Sequence, residues 1–169
     1  MTTFKVITPE EIKTNPFHLI GKEWMLISAE KDGNVNTMTA NWGGVGVMWN
    51  LDVVFIVVRP QRYTKEFIDK ASTFSLTFFD EAFKDKLRYL GTTSGRDEDK
   101  ISKAGLDIVH DDKTPYFAQA KTVLICEKLF AQPYQKESFI DVEVDKKNYK
   151  NEDYHCLYIA KILKVLVAE

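Results

Sequence analysis

Apolar and polar residues alternate along most of this chain, a period of two that marks strands with one buried face. "EWMLISAE" (Glu23–Glu30) and "VNTMTANW" (Val35–Trp42) flank Asp32-Gly33. That dipeptide suits a tight hairpin, because its residues tolerate positive φ. "LDVVFIVV" (Leu51–Val58) is a β-branched run that ends at Arg59-Pro60, where proline cannot continue a ladder. "STFSLTFF" (Ser72–Phe79), "KTVLICEKLFAQPY" (Lys121–Tyr134), "SFIDVEVD" (Ser138–Asp145) and "YHCLYIAKILKVLVAE" (Tyr154–Glu169) complete a set of six or seven predicted strands.

Short helices are predicted between them. Phe67, Ile68 and Ala71 form one apolar stripe in "YTKEFIDKA", with Thr64 as the expected N-cap. Leu87 and Leu90 lie three apart in "FKDKLRYLG" (Phe83–Gly91), which is expected to stop at its glycine. "DEDKISKAG" (Asp97–Gly105) begins with acids and ends on Lys103 and Gly105, as the helix dipole and the C-cap rule favour. Long strands with helices inserted in loops point to a closed antiparallel sheet, a barrel, rather than a βαβ succession.

Composition narrows the choices. A chain of 169 residues, 44% apolar and 28% charged, suits one ordinary globular domain over residues 1–169. A net charge of −2 gives no reason to expect nucleic acid or an anionic membrane as partner. No apolar run approaches the ~20 residues of a spanning helix, and the N-terminus lacks the basic-then-apolar pattern of a signal peptide. Cys126 and Cys156 each sit in a strand-like run without metal spacing, which suggests buried free thiols in a reducing cytoplasm.

Three stretches could carry chemistry. In "VVRPQRYTKEF", a buried strand gives way to Arg59, Arg62 and Tyr63 and then to a helix start. The free N–H groups and positive dipole end of that start, flanked by two guanidinium groups, suit a phosphate. An ordinary capped helix with solvated arginines is the alternative. "GTTSGRDEDKI" (Gly91–Ile101) is a polar loop of two glycines, three hydroxyls and Arg96. It could close over an anion, or merely connect two helices in solvent. "NTMTANWGGVGVMWN" (Asn36–Asn50) places Thr39, Asn41, Trp42 and two adjacent glycines at a strand end. Glycines there permit close approach by a flat ligand or a second chain. The Walker, G-x-G-x-x-G helix-opening, G-x-S-x-G and H-E-x-x-H patterns are absent, so the sequence predicts no P-loop, Rossmann, serine-hydrolase or zinc chemistry.

Taken together, "NTMTANWGGVGVMWN", "VRPQRYTKEFI", "FSLTFFDE", "SGRDEDKISKAGL" and "DYHCLYIAKI" resemble the flavin reductase-like family of FMN-binding split barrels, in its flavoredoxin-related branch. The resemblance runs from about Asn36 to Ile162. It implies a mainly β fold, a split antiparallel β-barrel with short helices in its loops, and a homodimer binding FMN near the interface. Carried over residue by residue, Met38, Thr39, Ala40, Asn41 and Trp42 would line the ring, largely through main-chain groups. Arg59, Arg62, Tyr63 and Thr64 would hold the phosphate and ribityl chain. Ser94, Gly95 and Arg96 would close the site, with Lys100 nearby. Asn41 stands where many relatives carry serine, and Ala160 where they carry glycine.

The activity so implied is hydride transfer from NAD(P)H to bound flavin, in which the cofactor carries the chemistry. His155 is the candidate catalytic side chain, and His155 or Arg96 is expected near the ring as a positive or orienting group. A flavoredoxin-type electron carrier reduced by a partner protein, and a non-catalytic FMN-binding module, stand as alternatives.

Overall fold

Alternation in the sequence becomes strand pairing in the computed structural model, which describes residues 2–169. The strands are β1 (Phe4–Ile7), β2 (Met25–Lys31), β3 (Asn34–Ala40), β4 (Gly43–Met48), β5 (Leu51–Val58), β6 (Thr73–Phe78), β7 (Ile108–Asp111), β8 (Thr114–Phe117), β9 (Thr122–Pro133) and β10 (Cys156–Ala168). The helices are α1 (Pro16–His18), α2 (Tyr63–Lys70), α3 (Lys84–Thr92), α4 (Lys100–Lys103) and α5 (Val142–Asn148). A π-turn at Leu19–Glu23 follows α1 directly. None of the described helices is long and apolar enough to cross a membrane.

Eight strands form one antiparallel sheet in the order β3-β2-β6-β9-β10-β5-β4, with β1 pairing the far half of β10. This is the mainly β, split antiparallel barrel expected. The two ends of the sheet, β3 and β4, are consecutive in the chain and are separated only by Asn41 and Trp42. Thus "NTMTANWGGVGV" supplies both edges of the split and the corner between them. Asp32 and Gly33 both take positive φ in the two-residue turn joining β2 to β3, as predicted. Trp49 and Asn50 form a second turn of that kind between β4 and β5, which places the indole outside the sheet.

A main core inside the sheet gathers Met25, Ile27, Met38, Val54, Ile56, Phe74, Leu76, Leu124 and Tyr158. A second core beneath α3 and α4 gathers Leu26, Phe79, Leu87, Leu90, Ile101 and Phe117. Both thiols are free and buried, in line with their strand-like surroundings.

Several elements differ from the sequence reading. Ser138–Asp145 is not a strand. Asp141 caps α5 by accepting from the Glu143 N–H at 2.9 Å, and Lys146 and Lys147 close its last turn. The alternation of Ile140, Val142 and Val144 belongs to residues that stay exposed, so no sheet face selected it. Thr64 is not the N-cap of α2. The cap position falls on Arg62 without a side-chain cap, and Thr64 is buried inside the first turn. α3 runs one residue past Gly91 to Thr92, and a glycine suits position 91 because a Cβ there would lie 3.1 Å from Cβ of Thr39 on β3. The predicted helix over Asp97–Gly105 contracts to α4, capped by Asp99, while Gly105 takes the expected positive φ just beyond it. β1, β4 and the β7–β8 hairpin were not foreseen, being short or glycine-rich.

Candidate functional site

The site forms where the split in the sheet meets the start of α2. Tyr158, fully buried on β10, donates its phenol proton to Asp69 Oδ1 at 2.5 Å, and Lys128 Nζ donates to the Asp69 carbonyl at 3.0 Å. These bonds anchor the C-terminal end of α2 to the sheet. Its opposite end opens into a cavity of about 390 Å³ lined by Asn36, Met38, Arg59, Gln61, Arg62, Tyr63, Thr64, Thr92, Thr93, Ser94, Gly95 and Lys100. A second hollow of about 200 Å³ runs along the end of β3 and is lined by Met38, Thr39, Ala40, Asn41, Trp42, Val57, Arg59, Arg62 and His155. The two share Met38, Arg59 and Arg62, so they make one elongated site with two ends.

The first end is cationic. Arg62 commits one nitrogen to the Gly91 carbonyl at 2.7 Å, and the rest of its guanidinium makes no further hydrogen bond among the described residues. Burial and then the nearby Arg59 lower its proton affinity. Lys100 is buried and donates to the carbonyls of Leu90 (2.8 Å) and Thr93 (2.7 Å). Burial, and secondarily Arg62, bring its ammonium down to about 8. No carboxylate among the described residues lines either hollow. Three cations that repel one another, with an uncapped helix start between them, make a donor set suited to a multiply charged anion. Thr64 Oγ1 accepts from Asn36 Nδ2 at 2.9 Å and so keeps its own proton available.

Arg59 is also engaged within the protein. It pairs with Asp153 Oδ2 at 2.6 Å, donates to the Asn148 carbonyl at 3.0 Å and lies 5.2 Å from the Tyr149 ring centre. It lines both hollows while tethering the segment that carries α5.

The second end is flatter and less polar. β3 pairs only with β2, so the outer edge of Met38–Ala40 carries no strand partner. Trp42 and His155 form its wall, with ring centres 5.3 Å apart. Burial first, then Arg59 and Arg62, drop the His155 imidazole to about 4 against the opposing pull of Asp153. That favours a neutral imidazole at physiological pH, which suits the orienting form of the expected role rather than the positive one.

Arg96 is the one predicted site residue that lines neither hollow. Its guanidinium reaches Glu66 Oε1 at 2.5 Å and the Gln61 carbonyl at 3.2 Å, and it stacks 4.5 Å from the Tyr63 ring centre. It latches the Ser94–Gly95 turn to α2 from outside. That turn is tight: a Cβ on Gly95 would fall 2.2 Å from Asn36 Oδ1. Sequence reasoning missed Asn36, Val57 and Gln61 as lining residues, and Tyr149 behind His155, and it had Thr92 and Thr93 only as hydroxyls of a loop that could close over an anion. Period-two alternation would have found Asn36, two positions before Met38. The rest depend on which loops meet.

The sequence profile of one family, described as flavin reductase like domain, matches residues 17–169. Among curated proteins no match is found. Solved structures share the fold at low identity. An FMN-binding domain of a flavin reductases-like enzyme from Shewanella baltica superposes with a TM-score of 0.71 at 18% identity, covering 98% of this chain and 78% of that one. Flavoredoxin of Desulfovibrio vulgaris gives 0.68 at 19%, covering 98% and 77%. An FMN-binding protein from Thermus thermophilus gives 0.64 at 22%, covering 94% and 76%.

Proposed function

This chain is a member of the flavin reductase like domain family, and from that premise we propose that it binds FMN and accepts hydride from NAD(P)H as a flavin oxidoreductase. The observation that carries the reading is the shape and charge of the site: a carboxylate-free cationic end at the start of α2, continuous with a flat end along an unpaired strand edge. The Arg62 guanidinium and the free N–H groups of Tyr63 and Thr64 hold the phosphate, with Lys100 behind them. Ser94 and Gly95 close that end, and Arg96 fastens the closure. The outer edge of Met38–Asn41 orients the ring, while Trp42 and His155 wall it from water. Bound FMN supplies the two-electron chemistry at its ring, so the chain has only to bind, orient and dehydrate.

The test is anaerobic addition of NADH to the FMN-loaded protein. Bleaching of the flavin absorbance within seconds is expected. A flavin that stays oxidised would favour the second reading, a flavoredoxin-type carrier reduced by a protein partner. That reading draws on the likeness to Desulfovibrio flavoredoxin and on Trp42, which is 45% exposed at the ring end. A protein that takes up no FMN would overturn both.

Affinity should depend on pH through Lys100. A phosphate monoester becomes a dianion above about pH 6, and the cofactor-free Lys100 loses its charge above about 8. Bound phosphate raises the Lys100 pKa, so binding above that point takes up a proton and weakens as pH rises. The Kd for FMN should therefore be flat between the two values and climb by up to about tenfold per pH unit beyond the upper one. Lys100→Met should bind more weakly with no alkaline limb. An alkaline limb that survives in Lys100→Met would remove Lys100 from the phosphate site.

We also propose a homodimer. Val47 and Met48 on β4, Trp49 in the turn after it, and Leu129 and Phe130 on β9 are exposed apolar side chains, and the Trp49 and Phe130 rings lie 6.5 Å apart. Equilibrium sedimentation at micromolar concentration reads this directly, and a monomer mass would overturn it.

A further inference from the structure

The phenol oxygen of Tyr149 stands 2.8 Å from Nδ1 of His155, and both side chains are buried. Two arrangements satisfy that distance. Either the phenol donates to a bare Nδ1, or a protonated Nδ1 donates to the phenol oxygen. They differ in the fate of the phenol proton. Among the described residues the phenol has no second hydrogen-bond partner. The charged group against its ring is Arg59, which offers no acceptor. If the phenol only accepted, its proton would be buried and unpaired, a costly outcome.

We propose that Tyr149 is a positioning residue that fixes His155 as the tautomer protonated on Nε2, so that a neutral imidazole presents an N–H donor to the hollow bordered by Met38–Trp42. Nε2 has no partner within the described residues, and the ring forms part of the wall of that hollow. The phenol itself is held firmly. Its ring stacks on Tyr154 at 4.9 Å, packs on Phe139 at 5.4 Å and meets the imidazole edge-on at 5.6 Å. Trp42 fixes the imidazole from the other side.

The consequence is a donor that does not change with pH over the working range. Arg59 and Arg62 disfavour the imidazolium, and Asp153, the one acid that opposes them, is engaged by Arg59. Such a donor suits the carbonyl edge of a flavin or the carboxamide of a nicotinamide, and cannot act as a strong acid. The inference rests on the FMN reading only for what the donor meets; the tautomer itself is a property of the free protein.

The chain has three histidines, so long-range proton–nitrogen NMR on protein carrying nitrogen-15 histidine resolves each ring, with His155 assigned by its loss in His155→Gln. Before any flavin is added, the expected pattern between about pH 6 and pH 8 is a protonated Nε2 and a bare Nδ1. Tyr149→Phe should lose that single pattern and populate both tautomers. With FMN bound, its reduction by NADH should slow by no more than about twofold, in proportion to the share of His155 whose Nε2 becomes bare. A protonated Nδ1 in the wild-type protein, or an unchanged pattern in Tyr149→Phe, would overturn the lock. Should Tyr149→Phe fail to fold, the wild-type spectrum still decides. Failure of FMN to bind would overturn the cofactor reading and leave the tautomer measurement standing.

Discussion

Arg62→Ala is expected to weaken FMN binding by roughly 100- to 1,000-fold, the effect of removing a forked, charge-assisted contact from a partly desolvated site. Arg62 is the arginine to remove, because Arg59 is already engaged by Asp153 and by the Asn148 carbonyl. Arg62 spends one nitrogen on the Gly91 carbonyl. Alanine therefore removes both the charge facing the phosphate and a bond that holds the end of α3. Arg62→Lys separates the two, since it restores a cation without the fork and should recover about tenfold of the loss. Arg96→Ala is the comparison. Its guanidinium lines neither hollow and its charged partner, Glu66, is solvent-exposed, so it should change the Kd by no more than about threefold. Flavin fluorescence titration measures all three. Equal losses for Arg62→Ala and Arg96→Ala would show that the phosphate lies elsewhere.

The largest expected loss of stability comes from Gly43→Ala. Gly43 opens β4 with φ 149°, and a Cβ there would fall 2.4 Å from the Phe55 carbonyl oxygen of β5. The clash is with backbone, so relief requires β4 to move away from β5. The cost should be about 2–3 kcal/mol, or roughly 4–12 °C in Tm for a chain of this size. Gly44→Ala is the internal control: its nearest neighbour would be a Phe55 ring carbon at 3.8 Å, and the change should stay within about 0.5 kcal/mol. Indistinguishable melting of the two variants would refute this account of the corner. The first glycine in "NWGG" thus answers first to the protein's own next strand, not to a ligand or a second chain.

The sequence reaches far where the physics is local. The Asp32-Gly33 turn, the strand ending at Arg59-Pro60 and the buried stripe of α2 each depend on a few neighbouring residues, and each is found as predicted. "SFIDVEVD" shows the opposite case. Its alternation fits a strand, but only a sheet face to bury it could have made one, and the Asp141 cap prevailed instead. The site divides in the same way. Arg62 and the neighbourhood of the α2 start were legible because a helix beginning advertises itself in one short segment, although the cap falls on Arg62 and not on Thr64. Val57 and Gln61 were not, because they matter only through contacts between segments far apart in the chain.

By itself, then, the sequence determined the class of fold, most of the strands and thirteen of the residues that line the two hollows. Tertiary structure alone decided that β3 and β4 are the open edges of the sheet, that Arg59 is also a tether, that Arg96 stands outside and that burial beside two arginines lowers the proton affinity of His155. The reason is physical. Backbone preference and periodicity act over a few residues, whereas desolvation, cation repulsion and close backbone approach exist only after distant segments have been brought together.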